Sequence, residues 1–375
     1  MILTNCACCA APLPHLAKQC SRCKTRYCGP ACQAQHWKEG GHDKVCKTIK
    51  RGGGAEQYYA NKKYAEAVSV AVEKCAEDTK GQTCYICTEA FHRHTKEGLV
   101  RGCACHTTEG FVHVSCLEEQ AKILLDEAEE NNLDVEAKDE RFWRWYKCSL
   151  CEQHYHGVMR CALGWACWKT YVGRPETDVA RGAAMSLLGN GLSEAKQYED
   201  ALSVETVKLS MIQRLGDSEQ NMLIAQGNLA STYRMLGRLE ESISLRRDVY
   251  FGTLKLFGEE NKDTLLEANN YANILISAQR FKEAKMLLRK TIPVARRVLG
   301  DSNEITIRMR WSYAEALYPD TSATLEDLRE AANTLEDTER TARRVLGGAH
   351  PTAVAIEQSL YNVRAALRAR GVVGV

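Results

Sequence analysis

The sequence predicts a mainly α protein, with two small cysteine-rich domains in front of an α-solenoid of helical repeats. Three observations carry that prediction. All 18 cysteines of the 375 residues lie at or before Cys167, and most fall in closely spaced pairs. From about residue 157 the chain turns to Ala, Leu, Glu and Arg, with apolar residues at three- and four-residue steps. Within that part a short motif recurs around Gly216, Gly258, Gly300 and Gly347, at intervals of 42, 42 and 47 residues.

The bulk composition sets the frame. Hydrophobic residues make up 45% and charged residues 26%, an ordinary globular balance. Lys plus Arg number 50 against 48 acids, a formal charge of +2 and too even to indicate a nucleic-acid partner. No apolar run approaches the ~18–20 residues of a membrane-spanning helix. The start, Met1-Ile-Leu-Thr-Asn-Cys6, lacks the basic and apolar regions of a signal peptide. The expectation is a cytoplasmic or nuclear chain, neither secreted nor transmembrane.

Without a secretory signal, so many cysteines point to metal ligands rather than disulfides. The first cluster reads Cys6-x2-Cys9, Cys20-x2-Cys23, Cys28-x3-Cys32 and His42-x3-Cys46. The second reads Cys84-x2-Cys87, Cys103-x-Cys105, His113-x2-Cys116 and Cys148-x2-Cys151. Each supplies eight ligands, enough for two tetrahedral Zn2+ ions and hence four in the chain. Cys8, Cys75, Cys161 and Cys167 are left over. Cys8 could exchange with Cys6 or Cys9, although only Cys6 gives the two-residue spacing to Cys9. His42 and His113 are chosen over the neighbouring histidines because each stands three or two residues from a cysteine that completes a set.

Segments this short rarely hold a sufficient core. Structural zinc contributes roughly 10–16 kcal/mol in small finger peptides, so folding and metal loading should coincide. With four protein ligands per ion no position is open to water, which argues against zinc hydrolysis and predicts no catalytic residue here. Residues 1–50 carry eight Lys or Arg against two acids. Four thiolates on one zinc subtract two charges and three thiolates with a His subtract one, which leaves the first domain near +3 and the chain near −4. Nucleic acid is therefore a disfavoured partner.

The first cluster resembles a MYND zinc finger through its eight ligands and the stretch Cys28-Gly-Pro-Ala-Cys-Gln-Ala-Gln-His-Trp37 leading to Gly41-His42 and Cys46. The resemblance implies cross-bracing: Cys6, Cys9, Cys28 and Cys32 on one zinc, and Cys20, Cys23, His42 and Cys46 on the other. It also implies that Gln33 and Trp37 sit on a helix beside which short proline-containing peptides bind. The second cluster resembles a RING-CH (RING-variant) finger in Gly102-Cys-Ala-Cys-His-Thr-Thr-Glu-Gly110-Phe-Val-His113-Val-Ser-Cys116. A PHD finger shares the ligand order but differs in spacing. The resemblance implies Cys84, Cys87, His113 and Cys116 on one zinc, with Cys103, Cys105, Cys148 and Cys151 on the other. It implies a ubiquitin-charged E2 enzyme as partner, met by Ile86 inside the first pair and Leu150 inside the last. Three features depart from the family: 31 residues between Cys116 and Cys148, no Trp in the helix after the sixth ligand, and Glu152 where a cation is usual.

The repeat half is read as paired amphipathic helices, such as Leu223–Met235 and Leu239–Leu256, with a glycine in the left-handed conformation closing each pair. A five-residue loop insertion, Tyr318-Pro-Asp-Thr-Ser322, lengthens the last interval. One pair cannot bury both its faces, so stacking into a solenoid is required. The period and the closing Leu346-Gly-Gly-Ala-His350-Pro351 resemble the tetratricopeptide repeats of kinesin light chains. That likeness implies a groove for peptide segments of substrate proteins, with Asn228 and Asn270 as candidate backbone-holding amides. Packing between repeats is the rival role for both.

The predicted domains are a MYND-like finger at 4–48, a helical linker at 55–80, a RING-CH-like finger at 81–156 and a tetratricopeptide-like array at 157–370. Arg51–Gly54 reads as a flexible joint, residues 157–178 as junction core in preference to a dock of the finger onto the first repeat, and Gly371–Val375 as a frayed end. The expected function is a RING-type E3 ubiquitin ligase or ligase adaptor. The alternative is a non-enzymatic zinc-stabilised interaction scaffold.

Overall fold

The computed structural model describes residues 5–11, 13–14, 16–103, 105, 109–319, 322–348 and 350–371. Residues 372–375 of the expected frayed end lie outside them, as do residues 320 and 321 of the loop insertion. The described residues form fifteen α-helices and one two-stranded hairpin, in agreement with a mainly α fold. The chain divides into two compact units, Met1–Asp217 and Ser218–Val375.

In the first unit, β1 (Lys18–Gln19) pairs antiparallel with β2 (Arg26–Tyr27). Two short helices follow, α1 (Pro30–Lys38) and α2 (His42–Arg51). Pro30 opens α1 with its backbone already near helical φ. The three glycines after α2 do not make a flexible joint. Gly54 donates to Ile49 O at 3.0 Å, and Ala55 donates to Cys23 O at 2.8 Å, so the turn is pinned to the first cysteine domain. From it runs α3 (Ala55–Cys75).

The second cysteine region contains α4 (Val114–Glu130), α5 (Val135–Phe142) and a 3₁₀ turn at Trp143–Trp145. These elements account for the long insertion before Cys148. Asp134 caps α5 by accepting from Ala137 N at 2.8 Å. The unit ends with α6 (Gly157–Tyr171), α7 (Val179–Glu194) and α8 (Tyr198–Leu215).

Helix α6 is apolar nearly all round, and Met159, Leu163, Trp165, Ala166 and Trp168 are all buried. A helix of that kind belongs at the centre, and α3, α4 and α7 pack around it. Of residues 157–178, α6 is thus core, whereas Gly173, Pro175 and Thr177 are exposed. Cys161 and Cys167 are buried there and serve as small apolar side chains. The approach of α7 is set by two glycines. A Cβ on Gly164 would stand 3.0 Å from Leu187 O, and one on Gly191 would stand 2.7 Å from Arg160 O.

Polar clamps hold the rim of this core. Lys169 pairs with Glu118 and lies 4.3 Å above the Tyr64 ring. Arg174 grips Glu129 through two bonds of 2.7 and 3.0 Å. The acidic end of the insertion is therefore engaged within the fold.

The second unit is a run of helices: α9 (Glu219–Met235), α10 (Leu239–Phe257), α11 (Lys262–Ser277), α12 (Phe281–Leu299), α13 (Glu304–Glu315), α14 (Leu325–Leu346) and α15 (Pro351–Ala369). Consecutive helices pack in sequence. The recurring motif is a boundary device. Gly258 and Gly300 each end a helix, and three residues later Asn261 or Asn303 caps the next by accepting a backbone N–H.

The expected left-handed cap needs correction here. Gly216 has φ 64° and ψ 37°, but Gly258, Gly300 and Gly347 combine φ of 82–92° with ψ of 173°, 161° and 150°. That region is open almost only to glycine, because a side chain there meets its own backbone. The period thus rests on a stricter demand than an ordinary helix cap.

Candidate functional site

The four Cys-x2-Cys turns are built alike. The first cysteine's N–H donates to the carbonyl five residues on, as in Cys6 to Ala11 (2.8 Å), Cys20 to Thr25 (2.8 Å), Cys84 to Glu89 (3.0 Å) and Cys148 to Gln153 (2.9 Å). Its own carbonyl accepts from the residue four on. That residue, Ala10, Lys24, Thr88 or Glu152, is left-handed at φ 57°, 66°, 62° and 57°. The reversal turns both thiols to one side. A fifth copy of the turn starts at His92, with Lys96 left-handed at φ 60° and a His92 Nδ1–Thr95 Oγ1 hydrogen bond of 2.8 Å in place of paired ligands. With no cysteine pair, that copy gives no signal in the sequence.

Tertiary packing brings the pairs together in four sets: Cys6, Cys9, Cys28 and Cys32; Cys20, Cys23, His42 and Cys46; Cys84, Cys87, His113 and Cys116; and Cys103, Cys105, Cys148 and Cys151. Within each set the ligand atoms all lie within 4.8 Å of one another, so each could hold a metal ion. Zn–S bonds of about 2.3 Å in a tetrahedron place sulfurs about 3.8 Å apart. Observed separations are 3.7 Å for Cys9–Cys28, 3.8 Å for Cys20–Cys46 and 3.6 Å for Cys105–Cys148. The donor set and its size both fit zinc. Cys8 stands outside its neighbouring set, with its thiol 3.5 Å from Gln35 Oε1.

The surroundings favour metal-ready histidines. Burial lowers the pKa of both His42 and His113, which keeps the imidazoles neutral. His113 turns Nδ1 towards Cys87 Sγ at 3.4 Å, while Nε2 lies 3.4 Å from Ala90 O, the usual outer partner of a ligating imidazole. His42 turns Nε2 towards Cys23 Sγ at 3.4 Å. In the last set, the hydrogen bond with Cys103 holds Cys148 below the ordinary thiol range and pushes Cys103 up. Backbone N–H groups of Leu150 and Ile86 point at the sulfurs of Cys148 and Cys84, each at 3.4 Å.

Among the described residues, one groove borders the third set, with Cys87 and Cys116 in its lining, and another lies apart from all four. The former, of about 560 Å³, runs between the Cys84–Cys87 turn and α4, lined by Ile86, His92, Glu119, Ile123 and Leu124 among others. Leu150 is about half exposed and does not line it, although Tyr85 OH and Ser149 Oγ, 3.3 Å apart, tie the two cysteine turns together. Gln33 and Trp37 lie on α1, and Trp37 is exposed with its ring 5.7 Å from that of His42.

The other groove, of about 510 Å³, lies in the second unit and is lined largely by α9, α11 and α13. Asn270 lines it; Asn228, half-buried on α9, does not. Sequence reasoning missed Asn269 and Asn273, whose Oδ1 atoms accept from Ser312 Oγ at 3.0 and 2.7 Å. The run Asn269-Asn270-x2-Asn273 was the available signal. Arg246 is locked there by Glu267 at 2.7 Å and Ser231 at 2.5 Å.

Fold and site together define a helical-repeat interaction scaffold preceded by Cys/His sets able to hold metal. The tetratricopeptide repeat family matches residues 268–304, one helical unit of the second half. Solved structures similar to the chain include kinesin light chain TPR-like repeats from Podosopora anserina, at 18% identity, 62% of this chain, 97% of that chain and TM-score 0.40. BtubC (BKLC) from P. vanneervenii gives 13% identity, coverages of 68% and 91%, and TM-score 0.37. The TPR2AB domain of yeast Sti1, solved with pHSP90, gives 12%, coverages of 67% and 99%, and TM-score 0.21. No curated protein matches the chain.

Proposed function

We propose that the chain is a RING-type E3 ubiquitin ligase or ligase adaptor. Its second Cys/His domain engages a ubiquitin-charged E2, while the helical groove and the first Cys/His domain hold peptide segments of a substrate protein. The observation that carries the reading is the groove beside Ile86, walled by Ile123 and Leu124 of α4. An apolar strip between a metal-pinned turn and a helix suits a shallow protein contact. The four Cys/His sets would hold Zn2+, which supplies cross-links and no reaction chemistry because every position belongs to the protein. Ile86 then binds, and Asn270 and Asn273 offer amides to a peptide backbone. Gln33 and Trp37 would do the same for a second peptide.

A second reading, the non-enzymatic scaffold, draws on Glu152. It is exposed and left-handed after the last ligand, where a ligase of this type benefits from a cation. The discriminating experiment is ubiquitin-chain formation by zinc-loaded protein across an E2 panel, with Ile86→Ala as control. Chains that form with wild type and fall at least about tenfold in the variant support the ligase, since a buried aliphatic contact is worth about 1.5 kcal/mol or more. No chains with any E2 while four zinc ions stay bound overturns it and leaves the scaffold.

A further inference from the structure

A cavity of about 380 Å³ opens in the first unit where the first Cys/His domain meets α3, α6, α7 and α8. That volume falls within the ~300–1,000 Å³ of small-ligand sites. Its apolar wall includes Leu13, Trp168, Met185 and Met211, contributed by separate parts of the unit. It is separate from both grooves and from all four Cys/His sets.

The charged groups around it are not equally engaged. Arg214 is matched by Glu176 at 2.6 Å, and Arg26 donates to Pro14 O at 2.6 Å. Arg181 is different. Its guanidinium is held in place by Nη1 donating to Arg174 O at 2.6 Å and lies 5.7 Å from the Trp168 ring centroid. Its ion-pair partner, Glu56, stands 3.8 Å from Nη2, a looser pairing than a direct hydrogen bond. Nε is buried with no partner. A planar cation fixed at the edge of a largely apolar cavity, with Nη2 short of a direct hydrogen bond to its carboxylate, matches a carboxylate in its fork geometry.

We propose that this cavity binds an apolar group ending in a carboxylate, with the chain seated against Trp168, Met185 and Met211 and the acid on Arg181. The same chemistry could come from a free aliphatic acid or from the apolar-acidic end of a peptide. The zinc-loaded full chain is titrated calorimetrically with decanoate, with decan-1-ol, and with an acetylated peptide ending in Leu-Glu. Two variants accompany it: Arg181→Gln, and Thr206→Trp, which fills the cavity from an exposed lining position. Unchanged melting and zinc content establish that each variant is folded.

The expected result is saturable one-to-one binding of decanoate or the peptide. Arg181→Gln should weaken it about tenfold or more, as loss of a charge-assisted bond does, and Thr206→Trp should abolish it. Decanoate binding identifies a free acid; binding of the peptide alone identifies a protein segment. The proposal is overturned if neither binds, if decan-1-ol binds as well as decanoate, or if both variants bind like wild type.

Discussion

The core of the first Cys/His domain gathers Cys6, Cys20, Cys23, Tyr27, Cys46, Ile49 and Ala55, so that four of its seven buried apolar side chains are thiols. The core of the second unit runs from Ile243 to Leu367 through Leu265, Leu288, Ile307 and Leu335, and contains no cysteine. The first set of side chains is too small to bury much apolar surface and is placed to share metal ions. The second draws on many helices, each covering its neighbour, and its stability is close to a sum of such interfaces. The second Cys/His domain stands between these cases. Its Cys84, Cys116 and Cys148 belong to the same continuous cluster as Trp165 and Leu188 of the helical core.

Chelation probes that contrast most strongly, because structural zinc is worth roughly 10–16 kcal/mol per site in finger peptides. Hydrogen exchange after metal removal should show protection lost around the Cys6–Cys46 sets and retained in α11 through α15. Equal loss in both would break the comparison. In the reverse direction, Leu288→Ala opens a hole beneath α12 and should cost about 2–5 kcal/mol in denaturant unfolding of the second unit. Zinc content by mass spectrometry should not change.

Smaller effects refine the picture. Asp327 accepts from the ammonium of Lys285 and completes a capping box with Thr324, contacts that hold its carboxyl well below the usual carboxylate range. The stabilisation is present above the unfolded carboxyl pKa of about 3.9 and is lost as pH falls through the depressed folded value. Asp327→Ala should cost about 1–2 kcal/mol at neutral pH and lose that penalty in acid, measurable by thermal melts across pH. At the low end, Thr88 is a β-branched residue held at φ 62° in a cysteine turn. Thr88→Gly should raise stability by up to about 1 kcal/mol with metal bound, by relieving a left-handed strain of about 1–2 kcal/mol against glycine's larger entropy loss. A loss on the same melt would mean that the Thr88 side chain stabilises the turn.

Much of this organisation was legible from spacing alone. Cysteines three residues apart form one local turn, and the recurring glycine marks where one helix pair ends. Both are short-range demands that the chain satisfies within half a dozen residues. The conformation of those glycines was not legible, since glycine permits the left-handed cap and the extended one equally. The flexible joint at Arg51–Gly54 was misread for a related reason: its fixed geometry comes from the bond of Ala55 N–H to Cys23 O, more than thirty residues earlier.

The sequence by itself determined the helices, the cysteine turns, their pairing within a few residues, and the 42-residue rhythm of the second half. Only the tertiary structure decided what the distant pieces make together. It put α6 at the centre because α7 can close to backbone contact over Gly164 and Gly191. It set Asn270 in the helical groove and left Asn228 out, and it brought Arg181 beside Trp168, Met185 and Met211 in the lining of one cavity. Local geometry follows from covalent connection and hydrogen bonds within a turn. Which side chains meet across a hundred residues follows from packing, to which every helix contributes.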